Sequence, residues 1–555
     1  MAIVPVPLLG QFGISLDIPP AELPPNAWSN GYNARFKDGV VQTMNGDKKL
    51  WDIAKQPQYA IQVLGPQSSL ASWVVAAEDS AYTVNGLAVT DITPTTPGAG
   101  PSDAELAWSG CSLGQQTILN DTYRTPWYWA APSPADKMVP LPNWPDNTTC
   151  YTLRSFKQTL VALNVTKDGD EYPSMVKWSH PADPGQPPIS WDEADETKDA
   201  GETVLAETSG YCVDAVSLRD SCVIYKTDSV WSMQYIGGLF IYRFTKLFGD
   251  WGMPVRGCAV EFTAGQHFVF TGTDIYVHDG NTARSILKGK VKNLLRSITL
   301  EQLPTCFVVN NPAYNEVWFC WKRDTASVVV AADTAIVWNV VENTISLRVL
   351  PSFTFIAPGR VDITSAPQVT WDSNSDEWDQ SGVIWAEFAQ IPAYMRLLAL
   401  GPLAGWWCDG QNSMLSPFFL ERTYVGIPVR AGQPPDLSSM KFVRRVWPRF
   451  TGEAGTQLQV TFGSADSVGE PIKWRNPLKF TIGTTRKFDI TLSGKVMAIR
   501  IEADTLSGGD PPVEPVTQEG DGAGAAPLAT PIEVESFPRW KFAGLDIDVV
   551  PTGEM

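Results

Sequence analysis

Short runs of alternating or continuous apolar residues dominate this chain, and each run is bounded by Gly, Pro, Asn or Asp. Runs of Val, Ile, Tyr, Trp and Phe between turn residues are typical of β-strands. Helical periodicity is nearly absent. Residues 289–303 are the best example, because their apolar positions fall near one helical face and predict one short helix. The pattern therefore predicts an all-β protein.

An aromatic residue recurs in similar strand contexts along the first three quarters of the chain. The positions are Tyr82, Tyr128, Trp178, Trp231, Tyr276 and Trp318, which lie 46, 50, 53, 45 and 42 residues apart. A period of about 40 to 50 residues is typical of propeller blades, each a sheet of about four strands. We predict a β-propeller of about six to eight blades over residues 41–420, with a possible insertion near residues 90–150. A stack of β-sandwiches with chance spacing is the alternative.

The two ends of the chain differ from this repeating region. Residues 1–40 contain paired prolines and little periodicity, which predicts an extended N-terminal arm lying across another element, either within the chain or on a neighbour. Residues 421–555 contain longer alternating strands, which predict a separate β-sandwich or platform domain. Within it, residues 506–531 are rich in Gly, Pro, Ala and acidic residues and predict a mobile acidic loop. We expect the arm and the loop to order only on assembly.

The charge of the chain narrows the classes of function. Its 555 residues include 60 acidic and 42 basic ones, for a net charge of −18 at pH 7. Such a protein is not attracted over its whole surface to DNA or to anionic lipid. No basic residue precedes Arg35 and no apolar run reaches membrane-spanning length, so we predict neither a signal peptide nor membrane insertion.

Sequence signatures of catalysis and metal binding are missing. The eight cysteines form no C-x-x-C pair, which favours buried free thiols. His180, His267 and His278 have no partner at metal-ligand spacing, and no phosphate, nucleophile or zinc motif occurs. Residues 191–202 (WDEADETKDAGE) contain the paired carboxylates that a glycosidase needs, but a solvated loop is the simpler interpretation. We therefore predict a non-enzymatic protein with no catalytic, cofactor-binding or metal-binding residues.

Two basic clusters are the candidate contacts for a partner. Around the expected helix lie Lys288, Lys290 and Lys292, and at the start of the last domain lie Lys441, Arg444, Arg445 and Arg449. Such side chains can bind phosphates or an acidic protein surface. A solvated surface without a partner is the alternative for each cluster.

Several segments resemble the tail nozzle family of short-tailed bacteriophages, also called tail tubular protein B. Near the N-terminus, LPPNAWSNGYNARFKDGVVQTMNG contains an N-x-R-x-x-D-G turn similar to that of phage virion proteins. The segments similar to successive blades are residues 217–244, 271–280, 315–321 and 336–351, and those similar to the C-terminal strands are residues 462–483, 488–504 and 540–553. Together these short segments extend over nearly the whole chain.

The resemblance implies a structural virion protein at the distal end of the tail. Its subunits are expected to form a homo-hexameric ring that docks on the head-to-tail adaptor below the portal and carries fibres or spikes. An acidic channel through the ring would let DNA pass during ejection without binding it. The expected location is the virion tail, after synthesis in the bacterial cytoplasm. The alternative, from another class, is a propeller lectin or glycosidase acting on host-surface glycan, because exposed Trp side chains can stack on sugars.

Overall fold

A computed structural model describes residues 2–551, apart from residues 8, 64–71, 96–107, 131–135, 239, 264, 328, 362–394, 411–417, 429–431 and 504–539. The predicted mobile loop at 506–531 lies outside the described residues. Within the described ranges, no helix combines the length and the apolar character needed to cross a bilayer.

The N-terminal segment contains short strands separated by turns. They are β1 (Ala2–Pro7), β2 (Gly13–Ile14), β3 (Ala27–Trp28), β4 (Asn30–Tyr32), β5 (Ala34–Lys37), β6 (Val40–Thr43) and β7 (Lys48–Asp52). Most of their pairing partners lie far away in sequence.

Antiparallel four-stranded blades follow along the chain. The first three consist of β8 (Pro57–Gln62), β9 (Ser72–Ala77), β10 (Ser80–Asn85) and β11 (Ala88–Asp91); β12 (Ser109–Leu113), β13 (Gln116–Asn120), β14 (Trp127–Trp129) and β15 (Val139–Pro140); and β16 (Thr148–Phe156), β17 (Thr159–Lys167), β18 (Asp170–Trp178) and β19 (Gly201–Val204). The second blade is regular in its described strands, so they show no insertion between residues 108 and 130.

Four further blades complete the series. They consist of β20 (Cys212–Leu218), β21 (Ser221–Lys226), β22 (Val230–Tyr235) and β23 (Tyr242–Phe248); β24 (Ala259–Thr263), β25 (Gln266–Phe270), β26 (Ile275–His278) and β27 (Ala283–Ser285); β28 (Phe307–Asn311), β29 (Glu316–Trp321), β30 (Ala332–Asn339) and β31 (Ile345–Phe353); and β32 (Phe355–Gly359), β33 (Arg396–Gly401) and β34 (Ala404–Cys408) with β7.

The innermost strands of these blades form a closed ring. Each of β8, β12, β16, β20, β24, β28 and β32 contacts the next, and β32 contacts β8. The described residues therefore form a seven-bladed β-propeller, and the predicted fold class is confirmed. A propeller closed in this way leaves only short, protected strand edges.

The last blade is assembled from both sides of the propeller sequence. Its outermost strand, β7, comes from the N-terminal segment and pairs antiparallel with β34. The Trp51 ring lies directly against Gly405, where an added Cβ would come within 2.1 Å of the ring. Only glycine fits this position without displacing the Trp51 ring, so Gly405 allows the ring of blades to close.

A β-sandwich contains the strands after the propeller and most of the N-terminal strands. Its later strands are β35 (Phe419–Val425), β36 (Lys441–Gly452), β37 (Gln457–Ala465), β38 (Lys473–Trp474), β39 (Leu478–Thr481), β40 (Phe488–Gly494), β41 (Val496–Ala503) and β42 (Trp540–Pro551). One sheet has the order β40-β36-β42-β6-β5, with β1 also paired to β42. The other has the order β38-β37-β41-β35-β4, with β39 paired to β37. Their facing side chains share one apolar core.

The structure corrects the predicted N-terminal arm. Instead of lying across another element as an extended arm, its strands β1, β4, β5 and β6 join the sandwich, and β2 and β3 extend the sixth blade. Trp28, fully buried, donates its indole N–H to the backbone oxygen of Leu9 at 2.5 Å. Strands of two to six residues pair here because tertiary packing stabilises them, although they are too short to show clear periodicity.

The predicted helix over residues 289–303 is shorter than expected. The structure has an α-helix, α1, at Lys292–Leu295 and a 3₁₀ helix at Leu300–Thr305. Thr299 between them is extended and caps the 3₁₀ helix together with Gln302, so the helical path is interrupted there.

A buried ion network joins the sandwich to the last two blades. Arg35 on β5 contacts Glu316 on β29 at 2.5 Å and Asp409, just after β34, at 2.7 Å. Arg348 on β31 contacts Asp409 at 3.1 Å and Asp47 at 2.6 Å. All five side chains are at most 5% exposed. Because each charge is removed from water, its partners are needed to offset the cost of burial.

We expect Arg35→Gln to lower the free energy of unfolding by about 3 to 5 kcal/mol, because it leaves two buried carboxylates short of a cation. Urea unfolding monitored by circular dichroism measures the change. The control is Arg445→Gln, which removes a cation from a half-exposed pair with Asp489 and should cost less than about 1 kcal/mol. Equal losses in the two variants would contradict a structural role for the network.

Candidate functional site

The basic cluster at the start of the sandwich divides into one buried and three exposed residues. Lys441 is fully buried, and its Nζ donates to the backbone oxygens of Asp436, Ser439 and Lys495 at 2.7, 3.0 and 3.1 Å. The structure therefore corrects the prediction for Lys441, whose ammonium group holds a turn and does not reach the surface of the chain.

Arg444, Arg445 and Arg449 lie on β36 with side chains that are 48, 45 and 41% exposed. Their guanidinium groups lie 3.7, 3.2 and 3.8 Å from the carboxylates of Asp548, Asp489 and Asp546, respectively. The three arginines remain accessible, but the neighbouring carboxylates offset their charge.

The lysines near α1 also have different environments. Lys290 is buried, donates to Asn343 and has a pKa lowered to about 8, first by burial and then by the charge of Arg284. Lys292 pairs with Asp274. Lys288 is exposed, so it is the member of this trio that remains accessible to a partner.

Two of the three histidines form a buried hydrogen-bond chain with a tyrosine. The Tyr225 hydroxyl lies 2.7 Å from His267 Nδ1 and 2.7 Å from His278 Nε2. His278 Nδ1 accepts from the backbone N–H of Gly280, and His267 Nε2 lies 2.8 Å from the backbone oxygen of Ser217. These partners assign the protons: His278 donates to Tyr225, Tyr225 donates to His267, and His267 donates to Ser217.

Within this hydrogen-bond chain, both histidines are neutral. Burial, followed by the neighbouring His267, lowers the pKa of His278 to about 3, and burial also lowers the pKa of His267. The chain connects β21 of the fourth blade with β25 and β26 of the fifth, so it is part of blade packing. Within the described residues, no group of three or more His, Cys, Asp or Glu side chains could hold a metal ion.

The acidic segment 191–202 places two of its carboxylates next to lysines. Lys177 Nζ contacts Glu193 and Glu202 at 2.5 and 2.9 Å, and Lys167 contacts the same two carboxylates. Burial opposes ionisation of Glu193, but the hydrogen bonds from Lys177, Lys167 and a backbone N–H, together with the charge of Lys177, outweigh it and lower the pKa of Glu193 to about 2. Glu193 is therefore ionised at neutral pH and is not available as a general acid.

A cavity of about 360 Å³ lies among the innermost strands of the propeller. Its charged lining residues are Arg154 on β16, Asp214 on β20 and Arg256 just before β24. Four aromatic residues also line it, namely Tyr59, Trp108, Phe307 and Phe355. We call this space the axial cavity. The axial cavity could not be predicted from sequence because its lining comes from distant strands that share no local motif.

Asp214 accepts four hydrogen bonds in the axial cavity. Arg154 donates from Nε at 2.7 Å and from Nη2 at 3.0 Å, and the backbone N–H groups of Ala215 and Gly257 donate at 2.8 and 2.9 Å. Burial opposes the charge, yet these donors lower the pKa of Asp214. The carboxylate is thus ionised and fully used by its present partners.

Arg256 is the second cation of the axial cavity. Its Nη1 donates to the backbone oxygen of Tyr151 at 2.7 Å and to Thr122 Oγ1 at 3.2 Å, and its guanidinium lies 4.8 Å from the centre of the Tyr151 ring. Burial lowers the pKa of Arg256, which shows that removal from water works against its charge.

Known proteins resemble this chain in structure only. No protein-family model and no curated protein matches this chain. The extracellular domain of the hybrid two-component system BT3049 from B. thetaiotaomicron is similar at TM-score 0.39 and 8% identity, over 80% of this chain and about half (49%) of that one. The WD40 β-propeller domain of Doa1 is similar at TM-score 0.32 and 9% identity, over 57% of this chain and 91% of that one. YCF48 bound to a D1 peptide is similar at TM-score 0.33 and 9% identity, over 66% of this chain and 99% of that one.

The buried histidines make stability depend on pH. Since the pKa of His278 is about 3 in the folded chain and about 6.5 when unfolded, the unfolded chain binds the extra proton between these values. Stability is therefore lost as the pH falls below 6.5, by about 2 kcal/mol at pH 5 from this residue alone. Urea unfolding gives the free energy of unfolding at pH 7.5 and at pH 5.0. The difference between these two free energies should be smaller in His278→Gln than in the wild type. His180→Gln is the control because His180 lies outside the hydrogen-bond chain of Tyr225, His267 and His278. If the free-energy difference in His278→Gln equals that of the wild type, His278 is not the source of the pH dependence.

Proposed function

We propose that this chain is a structural virion protein, the tail nozzle subunit of a short-tailed bacteriophage. In this proposal it forms a homo-hexameric ring at the end of the tail, docks on the head-to-tail adaptor and carries fibres or spikes. The sequence resemblance, which includes both the blades and the C-terminal strands, supports the proposal. The fold, a propeller with an added sandwich, agrees with the architecture that the resemblance implies.

The interlocked chain ends support the proposal best. Strand β1 pairs with β42 along its whole length, from Ala2 opposite Val549 to Pro7 opposite Gly544. Both ends of the described chain are therefore held in one sheet, beside the buried ion network that joins the sandwich to the propeller. A ring that conducts DNA needs subunits that stay folded under load, and the pairing of β1 with β42 ties strands more than 500 residues apart in sequence into one sheet.

Net charge supports a conduit that does not retain DNA. With a net charge of −18, six copies would carry a strongly negative surface that repels phosphate groups. The accessible arginines of β36 lie beside carboxylates and do not form a continuous basic track. Transient passage of DNA, without sequence reading, is the proposed mode of contact.

The geometry of segment 191–202 does not favour the glycan alternative. A retaining or inverting glycosidase needs one carboxyl group that keeps its proton near neutral pH. Glu193 has its pKa lowered to about 2, and it shares Lys177 with Glu202. Glu193 therefore does not fit the role of the acid in a glycosidase.

The mass of the purified protein, alone and mixed with its adaptor ring, tests the proposal. We expect mass photometry to show a six-copy particle and negative-stain images to show a six-fold ring with a central channel, at least on the adaptor. A monomer that ignores the adaptor but is retained on host polysaccharide would replace the nozzle proposal with the glycan-binding one.

The accessible arginines of the sandwich are the proposed contact with an acidic surface of the adaptor. We expect the double variant Arg445→Ala and Arg449→Ala to weaken adaptor binding by about tenfold, since two exposed cations are lost. Arg444 is left in place because it lies over the buried carboxylate of Asp548. Surface plasmon resonance at two salt concentrations gives the measurement, with Arg243→Ala, which removes an exposed cation of β23 outside both basic clusters, as the control. Unchanged affinity would exclude β36 from the docking surface.

A further inference from the structure

The axial cavity has the features of a ligand site. We propose that it binds a small organic anion in which a carboxylate is attached to a flat apolar body. The inference does not depend on the nozzle proposal. Three observations carry it: the charge of the lining, the position of the aromatic residues and the size of the space.

The charge of the lining favours an anion. Among the described lining residues, Arg154 and Arg256 are cations and Asp214 is the anion, so the lining carries one net positive charge. Asp214 already accepts four hydrogen bonds and has no capacity left for a ligand donor. A cationic ligand would therefore meet two guanidinium groups and a carboxylate that is already used. A carboxylate ligand suits the site, because guanidinium groups bind carboxylates through strong, charge-assisted hydrogen bonds.

The apolar side of the cavity favours a flat body on the ligand. Tyr59 and Phe355 pack together with ring centres 4.8 Å apart, and Trp108 and Phe307 complete an aromatic wall. The Tyr59 hydroxyl donates to the backbone oxygen of Gly110 at 3.0 Å, so the ring is fixed in place. Aromatic side chains pack well against planar apolar groups.

The size of the cavity favours a small molecule over a chain. A volume of about 360 Å³ lies near the lower end of ligand pockets, which span about 300 to 1,000 Å³. The Arg154 side chain is 20% exposed and Ser217 at the lining is exposed, so solvent reaches the site. A nucleic acid strand needs a longer groove along its backbone.

Benzoate and benzamide test the proposal as a matched pair, because they differ mainly in charge. Isothermal titration calorimetry on the full chain should detect one benzoate per subunit, and benzamide should bind at least about tenfold more weakly. Inorganic phosphate and a short single-stranded DNA are the comparison ligands, and both should bind more weakly than benzoate. Preferential binding of phosphate or DNA, or no heat with millimolar benzoate, would overturn the proposal.

Val216 lines the axial cavity, so variants of this residue test whether benzoate binds there. Val216→Glu adds a negative charge to the lining, whereas Val216→Gln adds a neutral group of the same size. We expect Val216→Glu to weaken benzoate binding by about tenfold or more relative to Val216→Gln. Circular dichroism and thermal unfolding show whether both variants fold. Equal benzoate affinity in two folded variants would show that the anion does not bind in the axial cavity.

Discussion

The architecture depends on five buried charges that meet where the sandwich touches the propeller. Arg35 and Arg348 share the carboxylate of Asp409, and Glu316 and Asp47 complete the set. Burying so many ions is tolerable only if all are paired at once, because one unpaired ion costs several kcal/mol. The network therefore fixes the relative position of three parts of the chain that are distant in sequence: the N-terminal hairpin, the sixth blade and the end of the seventh.

The buried ion network also lies where the propeller closes. Asp47 directly precedes β7, and Asp409 directly follows β34, which pairs with β7. The two carboxylates thus mark the two chain segments that form the outer half of the last blade. Since β7 is made early in the chain and β34 late, this blade is complete only after more than 400 residues have been synthesised. Such long-range closure costs loop entropy, which the pairing of β7 with β34 and the packing of Trp51 against Gly405 help to offset.

Parts of this structure could be predicted from sequence because they repeat or alternate. The aromatic period indicates the propeller, since five of the six aromatic residues lie on the third strand of successive blades; Trp318 lies on the second strand of the sixth. The N-x-R-x-x-D-G motif also has a physical basis: Arg35 enters the ion network, and Asp38 and Gly39 adopt positive φ values of 54° and 72° in the β5–β6 hairpin turn. The burial of Lys441 and the axial cavity could not be predicted. Both depend on which distant backbone groups meet, and local patterns do not contain that information.

Several cations are buried inside the protein, and their burial affects the number of basic groups on its surface. Lys226, Lys290, Arg422 and Lys441 are all buried, and each donates to backbone oxygens of a loop or turn. Burial lowers the pKa of each, to about 10 for Arg422, so the carbonyl groups only partly replace water. Cations used in this way hold loops together from inside and are withdrawn from the exterior. The exterior is consequently poorer in basic groups than the sequence suggests, and buried carboxylates such as Asp214 and Asp548 are withdrawn from it in the same way.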